Sequence, residues 1–187
     1  KDFFNGLASG WDERQTLSEN EVFDLVKLAN IMPDDNVLDV ACGTGIIDLH
    51  LLKLGARNVV AIDLSDNMID VAKSKNRCEK IQYKVADFYD YSEGDFDKIV
   101  IYNAYPHFTD TPAFLSAINR NLKNGGEFSI IHSDPPKVIN ERHSGGAKIV
   151  SKDLKAASEE ADIFKELFDI VMTVDDGERY LIRGKKR

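Results

Sequence analysis

Apolar residues along this chain form short runs that alternate with segments of helical spacing. Such runs, flanked by turn-forming residues, are typical of buried strands, whereas apolar residues at every third or fourth position predict a helix. Strands that alternate with helices indicate βαβ units, and therefore a parallel sheet with helices on both faces. The runs that predict strands are 37–41, 59–62, 81–86, 96–102 and 127–131, and the segments that predict helices between them are 46–54, 66–72 and 111–122.

The two ends of the chain follow other patterns. Ser18 and Glu21 form a capping-box pattern at the start of a predicted helix. After the predicted fifth strand the signal weakens, with one further helix expected over 153–167. The runs 168–174 and 178–182 are separated by Asp-Asp-Gly and predict a β-hairpin.

The net charge of −8 narrows the range of partners. It disfavours a broad nucleic-acid surface, because such surfaces rely on Lys and Arg to neutralise phosphates, and the basic residues 183–187 are expected to form a short solvated end. The two cysteines are far apart, which fits a reducing cytoplasm. No apolar run reaches the roughly 18 residues of a membrane span and no secretory leader is recognisable, so we expect a cytoplasmic protein without membrane or nucleic-acid partners.

The segment from Val37 to Gly45 carries the clearest chemical signal. A buried strand leads into Gly43 and Gly45 and then into a helix, as in a nucleotide-type cleft at the carboxyl edge of a parallel sheet. The dinucleotide signature G-x-G-x-x-G needs a third glycine where this chain has Asp48, and the P-loop signature is absent. The loop therefore has the form of a nucleotide site without the features that hold phosphate.

Acidic residues near the ends of three strands indicate which ligand this cleft would take. S-adenosylmethionine (SAM) carries an adenosine, a sulfonium cation and an α-ammonium group, but no phosphate. Asp39 lies in the strand before the glycine loop, Asp63 ends the second strand and Asp87 ends the third. Asp63 can accept hydrogen bonds from the ribose hydroxyls, while Asp87 can bind the adenine amino group and Phe88 can cover the base. The alternative is that these carboxylates are turn or loop residues.

Three motifs, in this order, resemble the successive SAM-binding motifs of class I SAM-dependent methyltransferases. They are Asp-Val-Ala-Cys-Gly-Thr-Gly at 39–45, Asp-Leu-Ser at 63–65 and Ala-Asp-Phe at 86–88. Over residues 3–185 the chain is similar to bacterial small-molecule methyltransferases related to those of ubiquinone and menaquinone biosynthesis. One departure is Ala41, which stands where many members of the family have a first glycine.

The resemblance implies a Rossmann-like α/β fold, with a seven-stranded, mostly parallel sheet, helices on both faces and a C-terminal antiparallel hairpin. It implies a single SAM-binding domain with an N-terminal flap and helix at 1–32, a cofactor-binding core at 33–132, and a substrate-side segment with the hairpin at 133–187. The implied activity is methyl transfer to a small-molecule acceptor, with S-adenosylhomocysteine (SAH) as product and no metal. The implied cofactor-binding residues are Trp11, Asp39, Ala41, Gly43, Gly45, Asp63, Leu64, Met68, Ala86, Asp87, Phe88 and Asn103.

The loop after the fourth strand is where the resemblance places the methyl acceptor. Ala104 and Tyr105 occupy the two proline positions of the Asn-Pro-Pro-Tyr motif found in enzymes that methylate amino groups of bases, which argues against DNA adenine methylation. We expect Asn103 to offer its backbone carbonyl to the SAM ammonium group, and Tyr105 and His107 to line the acceptor pocket. The alternative is that Tyr105 is a core aromatic and His107 a surface residue.

Two further residues, Asn140 and His143, are three positions apart, so one helical turn would place them on the same face. The resemblance implies that they contact the substrate, and a solvated loop is the alternative for His143. The candidate catalytic bases are His107, His132 and His143, because a neutral imidazole can accept a proton near pH 7. The spacing of these histidines does not favour a zinc site.

The N-terminal segment is expected to act as a flap over SAM through Trp11, with Asp12, Glu13 and Arg14 beside it solvated. We expect a monomer or a homodimer. Three other hypotheses remain open from the sequence. They are a regulatory module that binds SAM or a nucleotide without catalysis, another enzyme class in the same cleft such as an NAD-dependent oxidoreductase, and methylation of a macromolecule.

Overall fold

Seven strands form one sheet in the computed structural model, which describes residues 5–142 and 151–187. The strand order is β3-β2-β1-β4-β5-β7-β6. Strands β1 to β5 are parallel, and β7 is antiparallel to both β5 and β6, as the resemblance implies. The strands are β1 (Asn36–Val40), β2 (Asn58–Asp63), β3 (Ile81–Val85), β4 (Phe96–Tyr102), β5 (Leu122–His132), β6 (Phe168–Asp175) and β7 (Tyr180–Lys186).

Helices connect these strands and cover the sheet. Short 3₁₀ helices occupy Ala8–Gly10, Asp12–Arg14, Lys27–Ala29, Tyr105–His107 and Asp162–Glu166. The α-helices of the described residues are α1 (Glu19–Val26), α2 (Asp48–Leu54), α3 (Asp66–Lys75), α4 (Thr111–Asn121), α5 (Pro136–Arg142) and α6 (Ala157–Ala161).

The helix starts follow local sequence chemistry. The capping box predicted at the start of α1 is confirmed, since the Ser18 backbone N–H donates to Glu21 Oε2 at 2.8 Å and the Glu21 N–H donates to Ser18 Oγ at 3.4 Å. Either Ser65 or its neighbour could cap α3 from sequence alone. The structure selects Ser65, whose hydroxyl accepts from the Met68 N–H at 3.2 Å.

Both faces of the sheet are buried. Along β1, Leu38 and Val40 contact one apolar cluster while Val37 contacts the other. In β4, Ile99 belongs to the first cluster and Val100 to the second. Side chains of successive strand residues point to opposite faces, so an almost continuous apolar run is what a strand covered by helices on both sides requires.

Three sequence predictions about the elements are wrong in detail. Strand β5 begins at Leu122 rather than at residue 127, because Leu122 pairs with Phe96 and the register then shifts through Gly125, where φ is +78°. The helix expected over 153–167 is shorter, since α6 covers only Ala157–Ala161 and a 3₁₀ helix follows it.

The third error concerns the basic residues near the C-terminus, of which Arg183, Lys185 and Lys186 lie in strand β7 and not in a solvated end. Arg183 Nη1 donates to the Leu28 carbonyl at 3.0 Å. Lys186 Nζ donates to the Asn119 and Leu122 carbonyls at 2.6 and 2.8 Å. Long basic side chains place their charged ends at the rim while their stems cover apolar surface, so a run of Lys and Arg is compatible with a strand.

Candidate active site

A cleft of about 710 Å³ lies at the carboxyl ends of the parallel strands. This position is expected, because βα-loops leave the sheet at that edge and a crevice forms between them. The cleft volume lies in the range of about 300–1,000 Å³ that is usual for small-molecule sites. Its walls come from the N-terminal segment, the glycine loop, and the residues that follow β2, β3, β4 and β5.

The glycine loop has the backbone conformation that its sequence predicts. Ala41, Gly43 and Gly45 have φ values of +56°, +55° and +75°. Positive φ costs little for glycine but is strained for alanine, because a Cβ atom crowds the following carbonyl oxygen. Ala41 therefore holds a conformation that glycine would adopt more easily, and both Ala41 and Gly43 line the cleft.

Asp63 is held in the cleft wall by two backbone donors. Its Oδ2 accepts from the Gly43 N–H at 2.9 Å, and its Oδ1 accepts from the Ser65 N–H at 2.8 Å. Burial raises the pKa of Asp63, while these two backbone hydrogen bonds lower it. The carboxylate thus ties the end of β2 to the glycine loop and has a fixed orientation, as a ribose-binding residue needs.

The end of β3 supplies the adjacent wall. Asp87 is exposed and lines the cleft, and its Oδ1 accepts from the Tyr89 N–H at 2.9 Å. Phe88 is buried and contacts Phe108 edge-on, with ring centroids 5.9 Å apart. A carboxylate beside an apolar ring is the arrangement expected for an adenine site. The remaining residues expected on this side, Leu64, Met68 and Ala86, also line the cleft.

Gly45 was expected among the cofactor-binding residues, but the structure places it against a polar cluster beneath the loop. A Cβ atom built on Gly45 would lie 2.7 Å from Tyr83 Oη, 2.8 Å from Asp48 Oδ2 and 2.9 Å from Asn76 Nδ2. Only glycine leaves room for these three side chains. Gly45 does not line the cleft, whereas Asp39 does, although Asp39 is only 1% exposed.

The N-terminal segment contacts both the glycine loop and α3. Trp11 lines the cleft, and a Cβ atom built on Gly43 would lie 3.6 Å from its Nε1. The expectation that Asp12 is merely solvated is wrong, because its carboxylate accepts from the Thr44 hydroxyl at 2.5 Å and forms an ion pair with Lys75. Asn5 adds a third contact, accepting from the Ser65 hydroxyl at 2.5 Å.

Asn103 directly follows β4 and has a φ of +53°, a conformation that asparagine tolerates better than most residues. Its Oδ1 accepts from the Ser133 N–H at 2.9 Å, and its Nδ2 donates to Ser133 Oγ at 3.1 Å. The side chain therefore joins the ends of β4 and β5 at the cleft. The expected use of its backbone carbonyl stays a prediction.

Tyr105 does not line the cleft, and its assignment to the acceptor pocket is corrected. It is fully buried, and its hydroxyl donates to Glu160 Oε1 at 2.5 Å and accepts from Lys152 Nζ at 2.9 Å. Burial, together with the neighbouring Glu160, raises its pKa. The core alternative is thus correct for Tyr105, because α6 supplies a buried carboxylate that its hydroxyl satisfies.

The histidines and Asn140 divide between the cleft and its surroundings. His107, the last residue of the Tyr105–His107 3₁₀ helix, and the buried His132, at the end of β5, both line the cleft. Asn140 does not, since it donates to the Leu154 carbonyl at 2.9 Å and accepts from the Leu154 N–H at 2.8 Å. The prediction for His143 lies outside the described residues.

Comparisons with known proteins agree with this geometry. A family profile described as a methyltransferase domain matches residues 38–130. The chain is 32% identical to the ubiquinone/menaquinone biosynthesis C-methyltransferase UbiE of Teredinibacter turnerae, over 72% of this chain and 59% of that protein. It is 36% identical to the magnesium-protoporphyrin O-methyltransferase of Rhodobacter capsulatus, over 46% of this chain and 42% of that protein. A SAM-dependent methyltransferase structure from Aquifex aeolicus matches with a TM-score of 0.77 at 19% identity, covering 96% of this chain and 98% of that one.

The chain belongs to the class I SAM-dependent methyltransferases. SAM is the cofactor of this family, which confirms the cofactor expected from the sequence. The chain spans about half the length of the two curated relatives. The reactions and substrates of those whole proteins are therefore not assigned to this chain.

Several residues of this methyltransferase cleft escaped the sequence analysis. Tyr102 ends β4, so its position at a strand end could have identified it. Arg142 could not be found this way, because only the fold of α5 brings its guanidinium to Asp134, with Nη1 2.7 Å from Oδ2. The other lining residues that were missed include Gln15, Thr16, Ile46, Ile47 and Ile139.

Within residues 5–142 and 151–187, no group of three or more His, Cys, Asp or Glu side chains is arranged to hold a metal ion. Among the helices of the same described residues, none has the length and apolar character needed to cross a membrane.

Proposed function

We propose that this chain transfers a methyl group from SAM to a small-molecule acceptor and releases SAH. One observation carries the proposal. Three successive strands deliver Asp39, Asp63 and Asp87 to the same cleft, beside a glycine loop in which φ is positive. A carboxylate-rich cleft without a phosphate-binding loop favours a cationic adenosine compound over a dinucleotide.

The residues around the cofactor would act mainly by positioning. Asp63 would hold the ribose hydroxyls and Asp87 the adenine amino group, with Phe88 against the base. Trp11 would cover the cofactor and exclude water. SAM supplies a methyl group that its sulfonium already activates, so holding the acceptor in line with the methyl–sulfur bond provides much of the rate enhancement.

The acceptor would bind where the cleft continues past the end of β4. Phe108 and Ile139 give this region an apolar wall, while Tyr102 and His107 bring polar groups to it. An acidic O–H, N–H or C–H acceptor would lose its proton to a base as its nucleophilic atom bonds to the methyl carbon and the carbon–sulfur bond breaks. We propose His107 as this base, with His132 and His143 as the other candidates.

The first test is calorimetric titration of the protein with SAH and, separately, with NAD. We expect SAH to bind and NAD not to bind. Asp63→Asn should weaken SAH binding by about 10-fold or more, because the variant loses one charge-assisted acceptor for the ribose hydroxyls. Asp70→Asn is the matched control, since Asp70 is an exposed aspartate on α3 that does not line the cleft.

Failure of SAH to bind would overturn the proposal, and so would NAD binding of equal strength. If SAH binds, a screen of small molecules with labelled SAM identifies the acceptor. Transfer to a protein or nucleic acid and to none of the small molecules would contradict the acceptor class.

A further inference from the structure

Asp39 is an unusual member of the cofactor site. Its side chain is 1% exposed and faces the cleft. Neither of its oxygens accepts a hydrogen bond from an N–H or O–H group of the described residues. An isolated buried carboxylate is strongly disfavoured, so a group in this setting either gains a partner or keeps its proton.

The partner nearest to Asp39 is another carboxyl group. Asp48, the first residue of α2, is fully buried and lies within hydrogen-bonding reach of Asp39. Two ionised carboxylates repel, whereas a carboxylic acid donates to a carboxylate, so this contact requires a proton between the two groups.

The surroundings indicate which group holds the proton. Asp48 Oδ2 accepts from the Tyr83 hydroxyl at 2.7 Å, and Asn76 Nδ2 donates to Tyr83 Oη at 2.9 Å. Asp48 therefore has a hydrogen-bond donor from the protein where Asp39 has none, and it suits the ionised role. Burial raises the pKa of Asp39 well above its ordinary value, and the charge of Asp48 and a hydrogen bond with it add to the effect.

Other titratable or charged groups face the pair from the neighbouring elements. Asp63 on β2 adds negative charge and further raises the pKa of Asp39. Burial raises the pKa of Asp48, and the hydrogen bonds with Asp39 and Tyr83 and the positive charge of Lys75 on α3 partly offset that rise. Burial also raises the pKa of the Cys42 thiol, so Cys42 stays neutral beside the pair.

We propose that Asp48 is a positioning residue for the cofactor: its carboxylate accepts a hydrogen bond from the protonated carboxyl group of Asp39 in the ligand-free protein, and Asp39 releases that proton when the ammonium group of SAM or SAH binds against it. This inference rests on the proposed function, because it requires the cofactor's amino-acid end to lie at Asp39. The proton moves from Asp39 to the buffer, and the positive charge of the ligand replaces it. No other bond changes.

The geometry of the glycine loop supports this role. Asn76 Nδ2 also donates to the Gly45 carbonyl at 2.9 Å, so the loop and the Asp48 cluster form one hydrogen-bonded unit. Gly45 lies directly against Asp48 and Tyr83, as its missing Cβ allows. A charge change at the pair is therefore transmitted to the loop that contacts the ligand.

The test is calorimetry of SAH binding at one pH in two buffers with different ionisation enthalpies. The difference between the two observed enthalpies gives the number of protons released. We expect release of a substantial fraction of one proton by the natural protein, and affinity for SAH that rises with pH, because a binding step that releases protons is favoured when protons are scarce. 5′-Methylthioadenosine lacks the ammonium group and should release none.

Two variants isolate the pair. Asp48→Asn places an amide donor beside Asp39, which can then ionise without a ligand, so SAH should bind with little proton release. Tyr83→Phe removes the donor to Asp48 and should keep the proton release while moving the rise in affinity to higher pH. Asp70→Asn should match the natural protein in both measurements.

Enthalpies that do not depend on the buffer would overturn the inference, and so would equal proton release by Asp48→Asn and the natural protein. Proton release by 5′-methylthioadenosine equal to that of SAH would also overturn it. In each of these cases SAH still binds, so the proposed function survives. Failure of SAH to bind the natural protein would instead remove the proposed function.

Discussion

The cofactor half and the acceptor half of the cleft are built differently. In the cofactor half, formed by the ends of β1, β2 and β3, Asp63 and Asp87 each accept from an N–H two residues further along the chain, and Asp63 adds one longer contact from the Gly43 N–H. In the acceptor half, formed by the ends of β4 and β5 with α5, the contacts span long separations. Asn103 contacts a residue 30 positions away and Tyr105 one 55 positions away. Local contacts follow from short motifs, whereas distant ones depend on the whole fold.

The largest expected effect would come from disturbing the glycine loop of the cofactor half. Gly45→Ala adds a Cβ atom within 2.9 Å of three side chains at a φ of +75°. Overpacking and backbone strain together should lower the free energy of unfolding by about 3 kcal/mol. Urea unfolding measures this loss, and SAH titration should show greatly weakened binding.

Gly177→Ala is the control for this prediction. Gly177 has a φ of +86° but no atom within 4 Å of its added Cβ, so it carries the backbone strain alone. We expect a loss of about 1–2 kcal/mol there and unchanged SAH binding. Equal losses in the two variants would show that the cluster beneath Gly45 is not tightly packed.

A second change separates the two halves by their kinetics. His107→Ala should lower kcat by about 100-fold, since it removes the proposed base, and should change the Kd for SAH by less than about twofold. The measurement is the rate of methyl transfer to the acceptor found by screening. His50→Gln serves as control, because His50 does not line the cleft. A large loss of SAH affinity with unchanged turnover would place His107 in the cofactor half.

A third change addresses the long-range contacts beneath the acceptor half. Tyr105→Phe leaves the buried Glu160 without the donor it has at 2.5 Å, so the free energy of unfolding should fall by about 1–3 kcal/mol. SAH affinity should not change, because Tyr105 lies outside the cleft. Tyr180→Phe is the control, since the buried Tyr180 hydroxyl makes no hydrogen bond with a described residue. Equal losses in both variants would contradict the prediction.

The smallest expected effect concerns Ala41, which stands where many members of the family have a glycine. Ala41→Gly should raise the free energy of unfolding by up to about 1 kcal/mol, because relief of strain at a φ of +56° exceeds the entropic cost of glycine. Ala104→Gly, at a φ of −128°, should instead destabilise the protein. Denaturant titration of both variants checks the opposite signs. A loss in Ala41→Gly would mean that the Ala41 methyl group contributes packing that outweighs the strain.

The parts of the fold and the site that depend on short sequence motifs could be predicted, whereas those that depend on distant contacts could not. The seven-stranded, mostly parallel sheet followed from the family resemblance, and the hairpin followed from two apolar runs around Asp-Asp-Gly. The positions of Asp63 and Phe88 followed from strand ends. Tyr105 was misplaced because its loop position gave no sign of Glu160, which reaches it only through α6. Asn140 was misread for the same reason, since its partner Leu154 lies 14 residues away. Asp12 was missed because an exposed acidic run normally indicates solvation rather than a contact with Thr44.

The contacts of Asp12 also have a consequence for the rate of product release. One carboxylate joins the N-terminal segment to the Thr44 hydroxyl and to Lys75, and Trp11 next to it lines the cleft. Departure of SAH would require this junction to open before the ligand can pass. Because the ion pair with Lys75 is partly exposed, dissolved salt weakens it. The rate at which the product leaves would then increase with ionic strength, while the buried groups on the sheet that determine affinity would respond much less.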